Sequence, residues 1–311
     1  QYRGFFILFM IERQSMEKQT KVFRFFHFPL TRIIVGVLTL VAAALIAQLG
    51  MNALLKFASI GKELKDLIVA VVTAALTLVT YIYLFKSYER RSIAELSTSG
   101  FTFNALTGFL TGFLILSLVI LVMYLGNAYT IKSVNPVSFL LPALSVAVSS
   151  AVFEELLFRG VIFRITEEKL GSAWALVISS SIFGFGHLGN PNSTLFSAVA
   201  IVIEAGLLLG AAYIYRRNLW LPIFIHFAWN LSEGGIYGTA VSGTGISKSL
   251  INPVISGHEL LTGGSFGPEN SLPAVIIGLL TAALFLWKAR KKKTWMKPAW
   301  RIKATAITPA D

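Results

Sequence analysis

The sequence predicts an all-α polytopic membrane protein with about eight spans and both termini in the cytoplasm. Three observations predict it. Charged residues make up 14% of the 311-residue chain against 55% hydrophobic ones, with a mean hydropathy of +0.71; a soluble domain carries about 25% charge. Several uncharged runs reach the roughly 20 residues a helix needs to cross a bilayer. The cations gather in alternate loops, as membrane topology requires.

Residues 1–32 are basic and interleaved with Phe23, Phe25, Phe26, His27 and Phe28. The apolar stretch 2–11 is too short to span and has no small-residue cleavage site. This segment reads as a juxtamembrane lead-in lying at the membrane surface. Spans are then expected at 33–55, 67–85 and 104–126. A fourth begins after Pro136 and runs through Glu154 and Glu155. The others fall at 172–187, 195–215 (interrupted by Glu204), 219–237 and 271–287.

With the N-terminus placed in the cytoplasm, the outer loops hold five cations: Lys56, Lys62, Lys65, Lys132 and Lys248. The other 22 of the 27 Lys and Arg fall on the cytoplasmic side. The chain thus divides into the lead-in, a membrane domain at 33–287 and a basic tail at 288–311. The tail reads as a stop-transfer flank, with anionic lipid as the alternative partner. Nucleic acid is not a partner, because the charge follows the topology of the spans. The Gly- and Ser-rich loop 239–270 is long enough to gate a site or to be disordered.

The stretch that organises the chain is 150–164, where two carboxylates end an uncharged run from Ser133 to Phe153. A charge inside a membrane helix costs at least about 2.5–3.5 kcal/mol on insertion scales and needs a partner or a task. Arg159 follows Glu155 by four residues and shares its helix face. Glu154 points about 100° away and has no partner nearby in sequence.

Two of the four histidines also lie in apolar spans. Phe183 and His187 share one helical face, and so do His226 and Asn230, each at i, i+4. Three polar clusters on three helices suggest one interior site, since none should face lipid. Glu154 and His187 each sit about 16 residues, or roughly 24 Å, from the turn at Leu170–Gly171. His226 lies only about 13 Å above the turn at Arg217, so the four–five hairpin must protrude about 11 Å for the three to meet. The site is then expected within the membrane, nearer the cytoplasmic side.

A carboxylate and a histidine together can deprotonate water. A second histidine with an amide four residues on can bind an oxyanion. The same groups (Glu154, His187 and His226) could instead hold a divalent metal such as zinc, which would activate the water itself. The zinc-peptidase pattern His-Glu-x-x-His is absent, and so is Gly-x-Ser-x-Gly. With no cysteine, disulfides, thiolate metal sites and a cysteine nucleophile are excluded.

Glu154-Glu155-x-x-x-Arg159, Phe183-x-x-x-His187 and His226-x-x-x-Asn230 resemble, in order, the three motifs of the CPBP family of CAAX-type intramembrane endopeptidases and bacteriocin-processing (Abi) proteins. The resemblance extends to Asn218-Leu-Trp-Leu-Pro-Ile and places a family core at about 133–238. It implies hydrolysis of a membrane-associated or lipidated peptide. By that resemblance Glu154 activates water with the help of His187, and His226 and Asn230 stabilise the oxyanion. Glu155, Arg159 and Phe183 support the site. The family has been described both as metalloproteases and as glutamate-dependent peptidases, so metal use stays open. The competing class is a non-catalytic self-immunity or scaffold protein that binds a peptide in the same cavity. A bacterial plasma membrane is the expected location.

Overall fold

The computed structural model describes residues 21–245 and 248–301. The first 20 residues of the lead-in, two residues of the long loop and the tail beyond Arg301 lie outside the described residues.

The helices start and stop where the sequence punctuates them. After α1 (Lys21–Phe26), α2 (Pro29–Leu54) begins on a proline, whose fixed φ suits a first helical turn, behind extended Phe28. α3 (Lys62–Tyr88) and α4 (Phe101–Leu125) follow, each beginning after a glycine, Gly61 and Gly100. α5 (Leu141–Glu155) passes into a π-helical segment, π1 (Leu156–Phe163), and then α6 (Arg164–Gly186). Gly171 breaks α6 with φ 75° and ψ 172°, a conformation glycine adopts without a Cβ penalty. A Cβ there would also stand 2.7 Å from Pro298 N.

α7 (Leu195–Ile201) opens on a capping box between Thr194 and Ser197. It runs through π2 (Val202–Leu207) into α8 (Leu208–Arg216). α9 (Trp220–Asn230) continues as π3 (Leu231–Ile236). After α10 (Glu259–Thr262) in the loop comes α11 (Leu272–Lys291), capped by Ser271, whose hydroxyl accepts the Ala274 N–H.

Among the described residues six helices are long and apolar enough to cross a membrane. One of them, Val137–Gly189, covers 53 residues and contains the Gly171 break. Their outward faces carry large apolar side chains such as Leu38, Ile46, Leu49 and Leu280, each more than 60% exposed. An apolar surface of that extent has its natural complement in lipid.

The expectation of a purely helical chain needs correction. β1 (Tyr129–Val134) and β2 (Ile251–Ile255) pair antiparallel, with a register shift between Ile131 and Ser133. Pro253, opposite Ile131, has no N–H to give to the ladder. The long loop is likewise built rather than shapeless. Gly243 N–H donates to Phe266 O at 2.7 Å, and Gly267 takes a φ of 113° against Ala240.

Small residues set the packing around α9. A Cβ on Gly108 would stand 2.7 Å from Leu221 O, and one on Gly112 would collide with Ile225 O. α4 and α9 therefore touch backbone to backbone, in the manner of small-residue membrane interfaces. Leu116, Val119, Met123, Ala211, Ala212 and Ile225 fill the core beside that contact.

Both described ends of the chain lie at one end of the bundle, tied by ion pairs. Arg32 near the start of α2 pairs with Glu89 (2.7 Å) and Glu168 (2.6 Å). Arg164 pairs with Glu89 (2.9 Å), and Arg91 with Glu95 (2.6 Å). Burial pushes the Glu89 carboxyl up, but Arg164, Arg32 and Arg91 outweigh it and hold the group below the ordinary range. The described part of the tail is docked, not a free flank. Ser172 N–H donates to Met296 O at 3.0 Å, and Met296 N–H returns to Ser172 Oγ at 2.9 Å.

Candidate active site

The polar residues singled out in the sequence come from α5–π1, α6 and α9. Arg159 and Glu155 are fully buried, and Arg159 Nη1 donates to Glu155 Oε1 at 2.8 Å. The guanidinium also donates to Gly206 O of π2 at 3.1 Å and lies 4.7 Å from the Phe183 ring centroid. Arg159 thus holds three segments together by three different interactions.

Glu155 does more than pair with Arg159. Its Oε1 also accepts the Nδ1–H of His226 at 3.1 Å. That bond puts a hydrogen on Nδ1 and leaves Nε2 of His226 without a partner among the described residues. His187 is arranged in the same way: its Nδ1–H donates to Phe183 O at 2.8 Å, one turn back on its own helix. The Asn230 amide donates to Ser150 Oγ at 3.0 Å. The Phe183 ring lies tilted at 55° to His187, centroids 4.9 Å apart, and stands edge-on to His226 at 6.3 Å.

His187, His226, Asn230 and Phe183 line one cavity. Its volume is about 20 Å³; a water needs roughly 10–15 Å³. Trp229, Ser242 and Glu269 complete its polar wall. Glu154 is half-buried and is not in that wall, nor does any hydrogen bond join it to His187 among the described residues. Its Oε2 is buried and accepts no hydrogen bond, and its charge acts on both His226 and Arg159. So the structure brings the two imidazoles and the amide together, with Glu154 beside them rather than facing His187 across the hairpin.

Two expectations need correction. The cavity was expected nearer the end of the bundle that carries the termini. Instead Ser242 and Glu269 of the long loop line it, and Pro191 O beyond His187 abuts Gly243. The cavity therefore lies under the loop, at the opposite end. His187, sixteen residues past the Gly171 turn, and His226, nine past Arg217, line the same cavity, and Arg217 pairs with Glu167 just before that turn. The second correction concerns metal. Among the described residues no three His, Cys, Asp or Glu side chains are arranged to hold an ion. Nε2 of each ring stays open to a ligand, since only Nδ1 is engaged, but Glu154 stands outside the wall the two rings share. The set Glu154, His187 and His226 does not fit a metal centre.

Sequence reasoning missed Ser150, Ser242, Glu233 and Glu269. Glu233 carried a signal, being an ionisable residue inside an apolar span. Ser242 and Glu269 carried none beyond the length of their loop.

Fold and cluster together define a multi-span helical membrane protein whose apolar bundle encloses a carboxylate–imidazole–amide site. Residues 136–232 match the family described as Rce1-like, type II CAAX prenyl endopeptidase. Over 92 residues the chain is 35% identical to "Putative membrane peptidase YdiL" of Bacillus subtilis (strain 168). That alignment covers 28% of this chain, which spans 34% of the length of the relative it matches. No solved structure matches the chain.

Proposed function

We propose that this chain is an intramembrane endopeptidase that hydrolyses a peptide bond of a membrane-associated or lipidated substrate with an activated water. One observation carries the reading. His187 of α6 and His226 and Asn230 of α9, polar residues of otherwise apolar helices, line one cavity with room for one water.

In this reading Glu154 is the base, since its buried oxygen is engaged by no other group. It takes a proton from water with the help of Nε2 of His187. The resulting hydroxide attacks the scissile carbonyl. The oxyanion is assigned to the second amide hydrogen of Asn230 and to Nε2–H of His226 as imidazolium, its Nδ1–H remaining on Glu155; donors fixed in a water-poor site stabilise that charge strongly. Glu155 and Arg159 are positioning residues: they fix the imidazole of His226 through Nδ1. We count eight spans, taking Gly171 as the division of the long helical run and Trp220–Ile236 as the seventh span. Both termini then face the cytoplasm of a bacterial cell, as the cation distribution favours.

The test uses purified full-length protein with farnesylated and unlipidated CaaX-type peptides. Glu154→Gln and His187→Ala are expected to abolish cleavage while the protein still elutes as a folded species in detergent. Cleavage by both variants at the wild-type rate would refute the reading.

A further inference from the structure

A larger space lies beside the histidine cavity, between α2, α3 and α5. α3 packs on both of the other helices and forms its floor. α2 closes on its neighbour only at π1, where a Cβ on Gly36 would stand 2.8 Å from Val161 Cγ1. From that contact the two helices diverge toward the long loop, whose Lys248 pairs with Glu63 of α3. The groove they leave measures about 590 Å³, within the roughly 300–1,000 Å³ of pockets that hold a ligand. Its rims, Leu45 on α2 and Val146 on α5, are 51% and 53% exposed, so it opens sideways along the spans.

The lining is not that of a lipid-tail slot. Gln48 and Asn52 share one face of α2 at i, i+4, and neither amide meets a hydrogen-bond partner among the described residues. Thr73 on the floor is 8% exposed, and its hydroxyl has no partner either. Ser145 and Ser149 of α5 donate only to carbonyls of their own helix, which leaves their oxygens free to accept. The charges in the wall, Lys62 and Asp66, pair with each other. The groove is therefore apolar and uncharged overall, with neutral donors and acceptors spaced along it. An acyl or prenyl chain would gain nothing from those groups, and a phosphate headgroup would find no net charge. An unwound peptide needs them. Its N–H and C=O groups have no water in the bilayer core and must bond to protein. A segment that stayed helical would satisfy itself and leave the amides idle.

The groove also leads to the site. Ser150 lines it, and the same Ser150 Oγ accepts the Asn230 amide at 3.0 Å. Asn230 lines the cavity, so the two spaces share a wall one side chain thick. Phe153 lines the narrow end, and Glu154 follows four residues after Ser150 on the same helix face.

We propose that this groove receives an extended, uncharged stretch of a transmembrane segment and leads its scissile bond past Ser150 to Glu154. This rests on the hydrolytic reading and names its substrate class: a membrane-embedded polypeptide that enters sideways from lipid and unwinds against Gln48, Asn52 and Thr73.

The probe is a transmembrane peptide of roughly 20 Leu and Ala residues with a central Gly-Ser pair and a benzophenone side chain beside it. It is reconstituted in vesicles with full-length Glu154→Gln protein, so that capture does not depend on turnover. Irradiation should place adducts within 44–52 and 142–150, mapped by mass spectrometry. Gln48→Leu/Asn52→Leu, at two exposed positions, should lower capture about tenfold, the weight of two hydrogen bonds in a membrane. Ala44→Trp, which fills the groove, should lower it as well. Adducts scattered over outward residues such as Leu38 and Leu280, or capture unchanged by both variants, would overturn the proposal. So would a farnesylated CaaX-type peptide with its photoreactive group on the prenyl chain, if it labels the groove and the transmembrane peptide does not. Cleavage by wild-type protein is read separately. Capture in the groove without cleavage would uphold the groove as a peptide site and remove the hydrolytic reading. Cleavage with adducts elsewhere would do the reverse.

Discussion

The buried Glu155–Arg159 pair gives the sharpest test of how this site is held. Consider Arg159→Met, which keeps most of the side-chain volume and removes the charge. The substitution deletes the 2.8 Å bond to Glu155, the 3.1 Å bond to Gly206 O and the cation–ring contact at 4.7 Å from Phe183. Glu155, with no exposed surface, is left with His226 alone. Removing one partner of a buried pair costs about 3–5 kcal/mol, mostly because the other charge stays buried and uncompensated. The double variant Glu155→Gln/Arg159→Met removes both charges and should recover most of that loss, since replacing a whole buried pair is often nearly neutral. The measurement is denaturant unfolding in detergent micelles followed by tryptophan fluorescence, arranged as a double-mutant cycle. Single-variant stability within about 0.5 kcal/mol of wild type would refute the argument, and so would strictly additive losses in the double. Neither variant should cleave peptide at the wild-type rate, because His226 loses its anchor in both.

Other perturbations test the scaffold, the oxyanion site, the charged end and the metal question. Gly112→Ala forces α4 away from Ile225 O, next to His226; a misplacement of the order of 1 Å costs about 10²-fold in rate, so kcat should fall further than stability does. Asn230→Ala should lower kcat by about 10²–10³-fold with little change in KM, as removal of an oxyanion donor does. Glu89 has its carboxyl held below the ordinary range by three arginines. A carboxylate depressed in the folded state stabilises above its unfolded value and loses that stabilisation as pH falls through its folded one. Glu89→Gln should therefore lower Tm at pH 7, and the gap from wild type should close as pH drops below about 4. A chelator should leave turnover unchanged, because the donor set does not converge on one ion.

The sequence made the spans legible because lipid leaves few alternatives. An uncharged run of about 20 residues must cross or be buried, and each polar group inside it must find a partner. The same rule picked out Arg159, His187, His226 and Asn230 before any geometry was known. It did not reveal that Glu155 reaches His226, because that bond joins α5 to α9 across 71 positions of sequence. Depth went astray because the end of the bundle at which the cavity lies is marked by residues of the long loop, not by the spans. The long loop was illegible because backbone groups build it: Gly243 N–H to Phe266 O, Leu250 N–H to Gly235 O and the β1–β2 ladder leave no residue pattern. Ser242 and Glu269 are brought to the cavity by those bonds.

The π-helical segments explain how an apolar bundle tolerates this much charge. Each of the three carries one ionisable group that is fully buried: Arg159 on π1, Glu204 on π2 and Glu233 on π3. An α-helix engages its interior carbonyls in i→i−4 bonds and has little to offer a neighbour. A wider turn disturbs that pattern and frees acceptors, which is why such segments gather at functional sites. Here the freed acceptor is visible, since Gly206 O of π2 receives the Arg159 guanidinium of π1. Glycine at 206 also lets π2 pack closely on α6, for a Cβ there would stand 2.8 Å from Ser180 Cβ. The buried cation is therefore partnered by a carboxylate from its own helix and a main-chain oxygen from another. Its position is fixed by two backbones, and the imidazole that shares its carboxylate is fixed with it.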